Sequence, residues 1–264
     1  INIPLNFYLI FTRELGISGA AIASSLAEMG SFMMLSFYMW IRLDKEKYGL
    51  RPVYNGNLLI KVLKLSTWSM LHALISVAPW FLFFVSIEHL GKIELAISNI
   101  TRSVSAIFFV IANSFALTTG SLVSNAIGAG EGKTLFSICS KILKLGYTIG
   151  FPLVAIALLC NRWIIGFYTS NELLIQLAFA PFVVMLLNYT FALPGYVYLN
   201  AVGGTGKTQM TFLFQVTTTA IYLVYLYWLG RYTQAPLAIY LTAEYVFVIL
   251  LATQSIFYLK KKHY

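Results

Sequence analysis

A chain of 264 residues that is 59% apolar and only 10% charged, with a mean hydropathy of +0.79, is no ordinary soluble domain. Its formal charge of +9 does not point to nucleic acid, because the basic residues fall in the gaps between apolar runs instead of gathering on a soluble module. The composition indicates an all-α polytopic membrane helix bundle.

In chain order, the apolar run 1–12 is shorter than the roughly 20 residues that cross a bilayer, and reads as the end of a helix that starts upstream. A polar break at Arg13, Glu14 and Gly16 precedes the first complete span, 17–41. The first half of this span is crowded with Gly19, Ala20, Ala21, Ala23, Ser24 and Ser25, which let helix backbones approach closely where larger apolar groups gain nothing over lipid. The polar segment 42–64, with Pro52, Asn55, Gly56 and Asn57, marks the best domain boundary. Further spans are expected at 65–87, 95–127, 135–160, 173–202, 210–229 and 236–259. The expected organisation is therefore 1–41 as the last two helices of one lobe, 42–64 as a cytoplasmic inter-lobe loop, and 65–264 as a six-helix lobe.

Alternate connections collect basic residues unevenly. Arg42, Lys45, Lys47, Arg51, Lys61, Lys64, Lys133, Lys141, Lys144, Lys207, Lys260, Lys261 and Lys262 fall on one face, against Arg13, Lys92, Arg162 and Arg231 on the other. The positive-inside rule makes the first face, with the C-terminus, cytoplasmic. Residues 19–45 also align with 235–261: both segments carry an Ala-Glu pair, Ala27-Glu28 and Ala243-Glu244, and both end in basic residues, as parallel lobes would. Cys139 and Cys160 are about 21 residues apart on one helix, or roughly 30 Å, well beyond the about 6 Å between Cα atoms that a disulfide allows. His72, His89 and His263 share no metal-ligand spacing with one another or with the cysteines, so no metal site is expected.

Within the spans the ionisable groups carry the chemistry. Glu28 and Glu244 lie near mid-span, where a carboxyl group is by default functional, and are candidates for coupling to an ion; the alternative is a carboxyl bonded to a neighbouring helix. Arg102 costs roughly 3 kcal/mol at a helix centre and should face protein, not lipid. Its expected partner is Glu88 or Glu94, in a gating or structural pair, with snorkelling outward as the alternative. Asn99, Asn113, Trp80, Asn188 and Tyr189 are cavity or substrate candidates. The cluster Trp80, Phe81, Phe83 and Phe84 suits stacking on a ligand or holding a cation, though such residues more often serve packing or lipid contact. Pro79 and Pro152 are expected to bend their helices, and Trp163, Phe167 and Tyr168 to form an interfacial belt. The run 201–208, AVGGTGKT, fits P-loop spacing, but no strand is expected before it. It reads as a tight turn with Gly203, Gly204 and Gly206 free to take positive φ.

The order LGISGAAIASSLAE (15–28), LAISNITRS (95–103), SLVSNAIGAGEGK (121–133) and NAVGGTGKTQ (200–209) resembles the multidrug and toxic compound extrusion (MATE) family, from the end of its fifth helix through its twelfth. The resemblance implies two six-helix lobes around a cavity and alternating access, with export of amphipathic, often cationic, solutes in exchange for protons or sodium. It also implies carboxylates in helices seven and ten, but the matching positions fall near Val77 or Ala78 and near Ala192, all uncharged. Coupling is then expected in Glu28, Glu244 or an upstream lobe. The resulting expectation is a secondary antiporter in the cell inner (plasma) membrane, not an enzyme, monomeric, with membrane lipids and small organic solutes as partners. No nucleic acid, nucleotide or cofactor is expected beyond the transported ion. A flippase of lipid-linked oligosaccharides or polysaccharides, from the same wider superfamily, is the alternative.

Overall fold

A computed structural model describes residues 2–44, 54–233 and 235–261, and among these the chain forms helices and turns only. Seven segments are long and apolar enough to cross a membrane: Gly16–Arg42, Gly56–Leu90, Lys92–Gly128, Gly132–Leu159, Glu172–Gly204, Thr208–Tyr232 and Leu237–Lys261. They correspond one for one to the spans read from the sequence, since a run of about 20 apolar residues has few alternatives to a helix whose backbone satisfies itself. The chain is a multi-pass membrane protein.

Two compact units meet in sequence between Leu58 and Leu59, inside the polar segment 42–64. Residues 45–53, with Lys45, Lys47 and Arg51, lie outside the described residues, as do Lys262 and His263. The segment was expected to be loop as far as Lys64, yet the helix begins at Gly56. Lys61 and Lys64 punctuate helical turns without breaking them, since lysine is a good helix former.

In the first unit, α1 (Asn2–Phe7) runs on into a π-helical turn, Tyr8–Thr12. The chain reverses through Glu14 and Gly16, both at positive φ (53° and 52°), into α2 (Gly16–Arg42). The buried stripe of α2 is Gly19, Ala23 and Ala27, spaced by four. A Cβ on Gly19 would lie 2.8 Å from the Leu9 carbonyl oxygen, so the close approach needs glycine.

The second unit contains α3 (Gly56–Ile87) from Leu59 onward, a 3-10 turn at Glu88–Leu90, α4 (Lys92–Gly128), α5 (Leu135–Leu159) and the short α6 (Asn161–Gly166). It continues with α7 (Glu172–Leu187), α8 (Tyr189–Gly204), α9 (Thr208–Tyr232), the one-turn α10 (Leu237–Tyr240) and α11 (Ala243–Lys261). Helix α8 is central, packed against α4, α5, α9 and α11. Its backbone comes close to that of α4, where a Cβ on Gly204 would stand 2.5 Å from the Gly120 carbonyl oxygen. Gly203 and Gly204 therefore stay helical, and only Gly206 (φ 78°) turns the chain into α9.

Two spans are interrupted. The fifth breaks at Asn188, between α7 and α8; Pro194, within α8, cannot donate to the Thr190 carbonyl, which instead accepts the Tyr147 hydroxyl at 2.7 Å. The last span breaks at Leu241–Thr242, where the Thr242 hydroxyl donates back to the Ile239 carbonyl (2.6 Å) and accepts from Tyr225 (3.0 Å). Side-chain hydrogen bonds of this kind compete with the helical ladder. The second break places Glu244 in the first turn of α11, where the N–H groups of Glu244, Tyr245 and Val246 bond back to the Leu241 and Thr242 carbonyls.

Candidate functional site

Pro79 of α3, the Asn188 junction and Glu244 of α11 border a cavity of about 440 Å³ in the second unit. Helix α3 contributes Val77 and Trp80, and α4 contributes Arg102, Ser105, Phe108 and Phe109. The α7–α8 junction contributes Asn188, Tyr189, Ala192 and Tyr196, and α11 contributes Glu244 and Phe247. Aromatic faces therefore make up much of the wall, as in pockets for organic molecules.

The wall carries one buried ion pair. Arg102 Nη2 donates to Glu244 Oε1 at 2.6 Å, with the two side chains 3% and 14% exposed. Tyr222, fully buried, donates its hydroxyl to the same oxygen at 3.3 Å. The guanidinium carbon sits 4.2 Å from the ring centroid of Phe83, 5.3 Å from Phe84 and 5.7 Å from Trp80. Three aromatic faces and a carboxylate thus replace the water that the cation gives up. Arg102 Nε and Asn188 Oδ1 are buried and make no hydrogen bond within the protein. The pair closes the local charge balance within the wall.

This arrangement corrects one expectation. Arg102 pairs with Glu244, not with Glu88 or Glu94. Glu88 is exposed in the 3-10 turn and Glu94 lies in the first turn of α4, two turns before Arg102, whereas the break in the last span presents Glu244 directly to the guanidinium. Of the other candidates, the structure brings Trp80, Asn188 and Tyr189 to the same cavity. Asn99 is exposed and Asn113 half-buried, and neither lines it. Glu28 lies exposed on α2 in the first unit. Within the aromatic cluster, Phe83 and Phe84 face the arginine, and Phe81 is exposed. Val77 and Ala192, where the resemblance implied carboxylates, line the cavity as uncharged residues.

Sequence reasoning missed Tyr222, Tyr196 and Phe247, since a lone aromatic within a span is common in a chain with 17 tyrosines and 20 phenylalanines. The P-loop-like run is the end of α8, a turn at Thr205–Lys207 and the start of α9, so no strand precedes it. Cys139 is buried, Cys160 exposed, and both are free.

A polytopic bundle with a cavity bordered by interrupted helices is the architecture of a membrane transporter. The profile of the MatE family matches residues 69–228, more than half of the chain, and the chain belongs to that family. It is 24% identical over 177 residues to Protein DETOXIFICATION 8 of Arabidopsis thaliana, covering 65% of this chain and 36% of that protein. It is 27% identical over 136 residues to Multidrug and toxin extrusion protein 1 of Mus musculus, covering 50% of this chain and 23% of that one. The solved outward-facing conformation of a multidrug resistance MATE family transporter of the MOP superfamily superposes with a TM-score of 0.86 at 18% identity, over 99% of this chain and 59% of that one. The chain thus has the fold of multidrug and toxin efflux transporters, and spans about a third of the first plant relative and about three fifths of the solved transporter. These similarities lend no support to the flippase alternative.

Proposed function

We propose that this chain is the cavity-bearing second lobe, with the end of the first, of a secondary active antiporter. Such a protein exports amphipathic or cationic organic solutes in exchange for protons or sodium by alternating access. The observation that carries the reading is the half-buried Glu244 carboxylate, salt-bridged to the buried Arg102 in the wall of an aromatic cavity. An ion bound at Glu244 releases Arg102 from its partner and leaves an unpaired cation in the wall, which opposes a cationic guest. An empty carboxylate restores the pair and, with Trp80 and the tyrosines, a surface for such a guest. The names of the relatives, extrusion and detoxification, agree with export.

The chemistry asks for no cofactor beyond the transported ion, and for no catalytic step. The basic ends of the spans support a cytoplasmic C-terminus, and export of organic solutes fits a place in the cell inner (plasma) membrane. The test is efflux of a fluorescent organic cation from vesicles carrying the full-length transporter, driven by an imposed proton or sodium gradient. Glu244→Gln is expected to abolish gradient-driven efflux per molecule of transporter in the membrane. Efflux at the wild-type rate by this variant overturns the reading, and the gradient that drives the wild type names the ion.

A further inference from the structure

A second cavity, of about 420 Å³, lies where the first turns of α3, the α8–α9 turn and the end of α11 converge. Lys61 and Lys64 of α3 and Lys207 of the turn line it, beside Trp68, Met210 and Tyr258. The turn is fixed in place: Gly206 at φ 78° redirects the chain, and the Thr208 hydroxyl donates to the Leu65 carbonyl of α3 at 3.3 Å. Trp68 is held by Phe212 of α9, with ring centroids 5.4 Å apart, and Tyr258 by Phe214 at 5.8 Å. Among the described residues, none of the three lysines has a carboxylate within ion-pair distance. The pocket therefore gathers three lysines that no carboxylate of the described residues neutralises.

Convergent, unpaired lysines select a phosphate, and the position of the pocket selects its carrier. It sits at the ends of membrane spans, its floor is apolar, and Trp68 and Tyr258 are the residue types that settle at headgroup depth. Basic pockets between transmembrane helices hold anionic headgroups by this combination. A nucleotide would need backbone N–H groups wrapped around its phosphates after a strand, and the Lys207-Thr208 pair follows a helix instead. We propose that this pocket binds the phosphate headgroup of an anionic membrane phospholipid, which joins the start of α3 to the α8–α9 turn and the end of α11. The proposal does not depend on the efflux reading.

The test is native mass spectrometry of the purified chain titrated in detergent with phosphatidylglycerol or phosphatidylcholine. One phosphatidylglycerol is expected to be retained in preference to phosphatidylcholine. The triple variant Lys61→Ala, Lys64→Ala, Lys207→Ala should weaken it by about a hundredfold, in line with three lysines beside an anionic headgroup. The triple variant Lys133→Ala, Lys141→Ala, Lys144→Ala, which removes equal charge elsewhere, should retain it. Lys207→Gln alone, a single exposed substitution that leaves the helices intact, should weaken it several-fold. Unchanged retention by the first triple variant and by Lys207→Gln, or equal loss in both triple variants, overturns the site. Displacement of the lipid by inorganic phosphate at matched concentration overturns the lipid and assigns the pocket to a soluble anion.

Discussion

Glu28 and Glu244 each follow an alanine in a span that ends in basic residues, and the sequence treats them as equivalents. The structure does not. Helix α2 runs unbroken from Gly16 to Arg42 and leaves Glu28 exposed on its surface. The last span is interrupted two residues before Glu244, which meets Arg102 and Tyr222 from two other helices. Among the described residues, Glu244 thus has partners from α4 and α9 at an irregular stretch of backbone, while Glu28 lies on a regular helix. The hydroxyl groups show the same contrast: Ser25 of α2 bonds back to its own helix at Ala21, while Thr242 bonds both to its own backbone and across to Tyr225.

The largest expected effect comes from removing one carboxylate of each kind. Glu244→Ala leaves Arg102 buried without a counter-charge and should cost about 3–5 kcal/mol, read from unfolding in denaturant. Glu28→Ala should stay within about 0.5 kcal/mol by the same measurement, and equal losses would break the comparison. The double variant Arg102→Met, Glu244→Leu should recover most of the loss, because an apolar pair of similar volume carries no desolvation penalty. Next in size, Phe83→Leu removes the nearest aromatic face from the guanidinium and should cost about 2 kcal/mol; thermal unfolding of this variant in the Glu244→Ala background should show a smaller loss if the face and the carboxylate act on one cation. Smallest, Thr242→Val keeps the shape at the break and loses its hydroxyl bonds, for about 1 kcal/mol, against no measurable change in Ser25→Ala. A Thr242→Val protein as stable as the wild type would show that the break holds without that hydroxyl.

The spans were legible because length and apolarity suffice to define a membrane helix, and the helix interiors needed no finer signal. Arg102 was legible as a residue that must face protein, for the same energetic reason. Its partner was not, since 142 residues separate it from Glu244 and proximity in sequence favoured Glu88 and Glu94. The interruptions were not legible either. Pro194 is visible, but the break falls six residues earlier, and Thr242 is an ordinary threonine until Tyr225 is folded beside it. A hydropathy reading averages over a full span and cannot register a single turn. Asn99 and Asn113 share a helix with Arg102, but that helix presents them away from the cavity.

The Arg102–Glu244 pair also orders events during synthesis. A growing chain makes Arg102 first, and at about 5–20 residues per second the carboxylate follows on the order of ten seconds later. Through that interval the guanidinium has no counter-charge of its own, in a segment where an arginine costs roughly 3 kcal/mol. Trp80, Phe83 and Phe84 lie earlier in the chain and are already made. The aromatic cage is therefore in a position to shelter the cation in the nascent protein, before the final helix arrives to neutralise it.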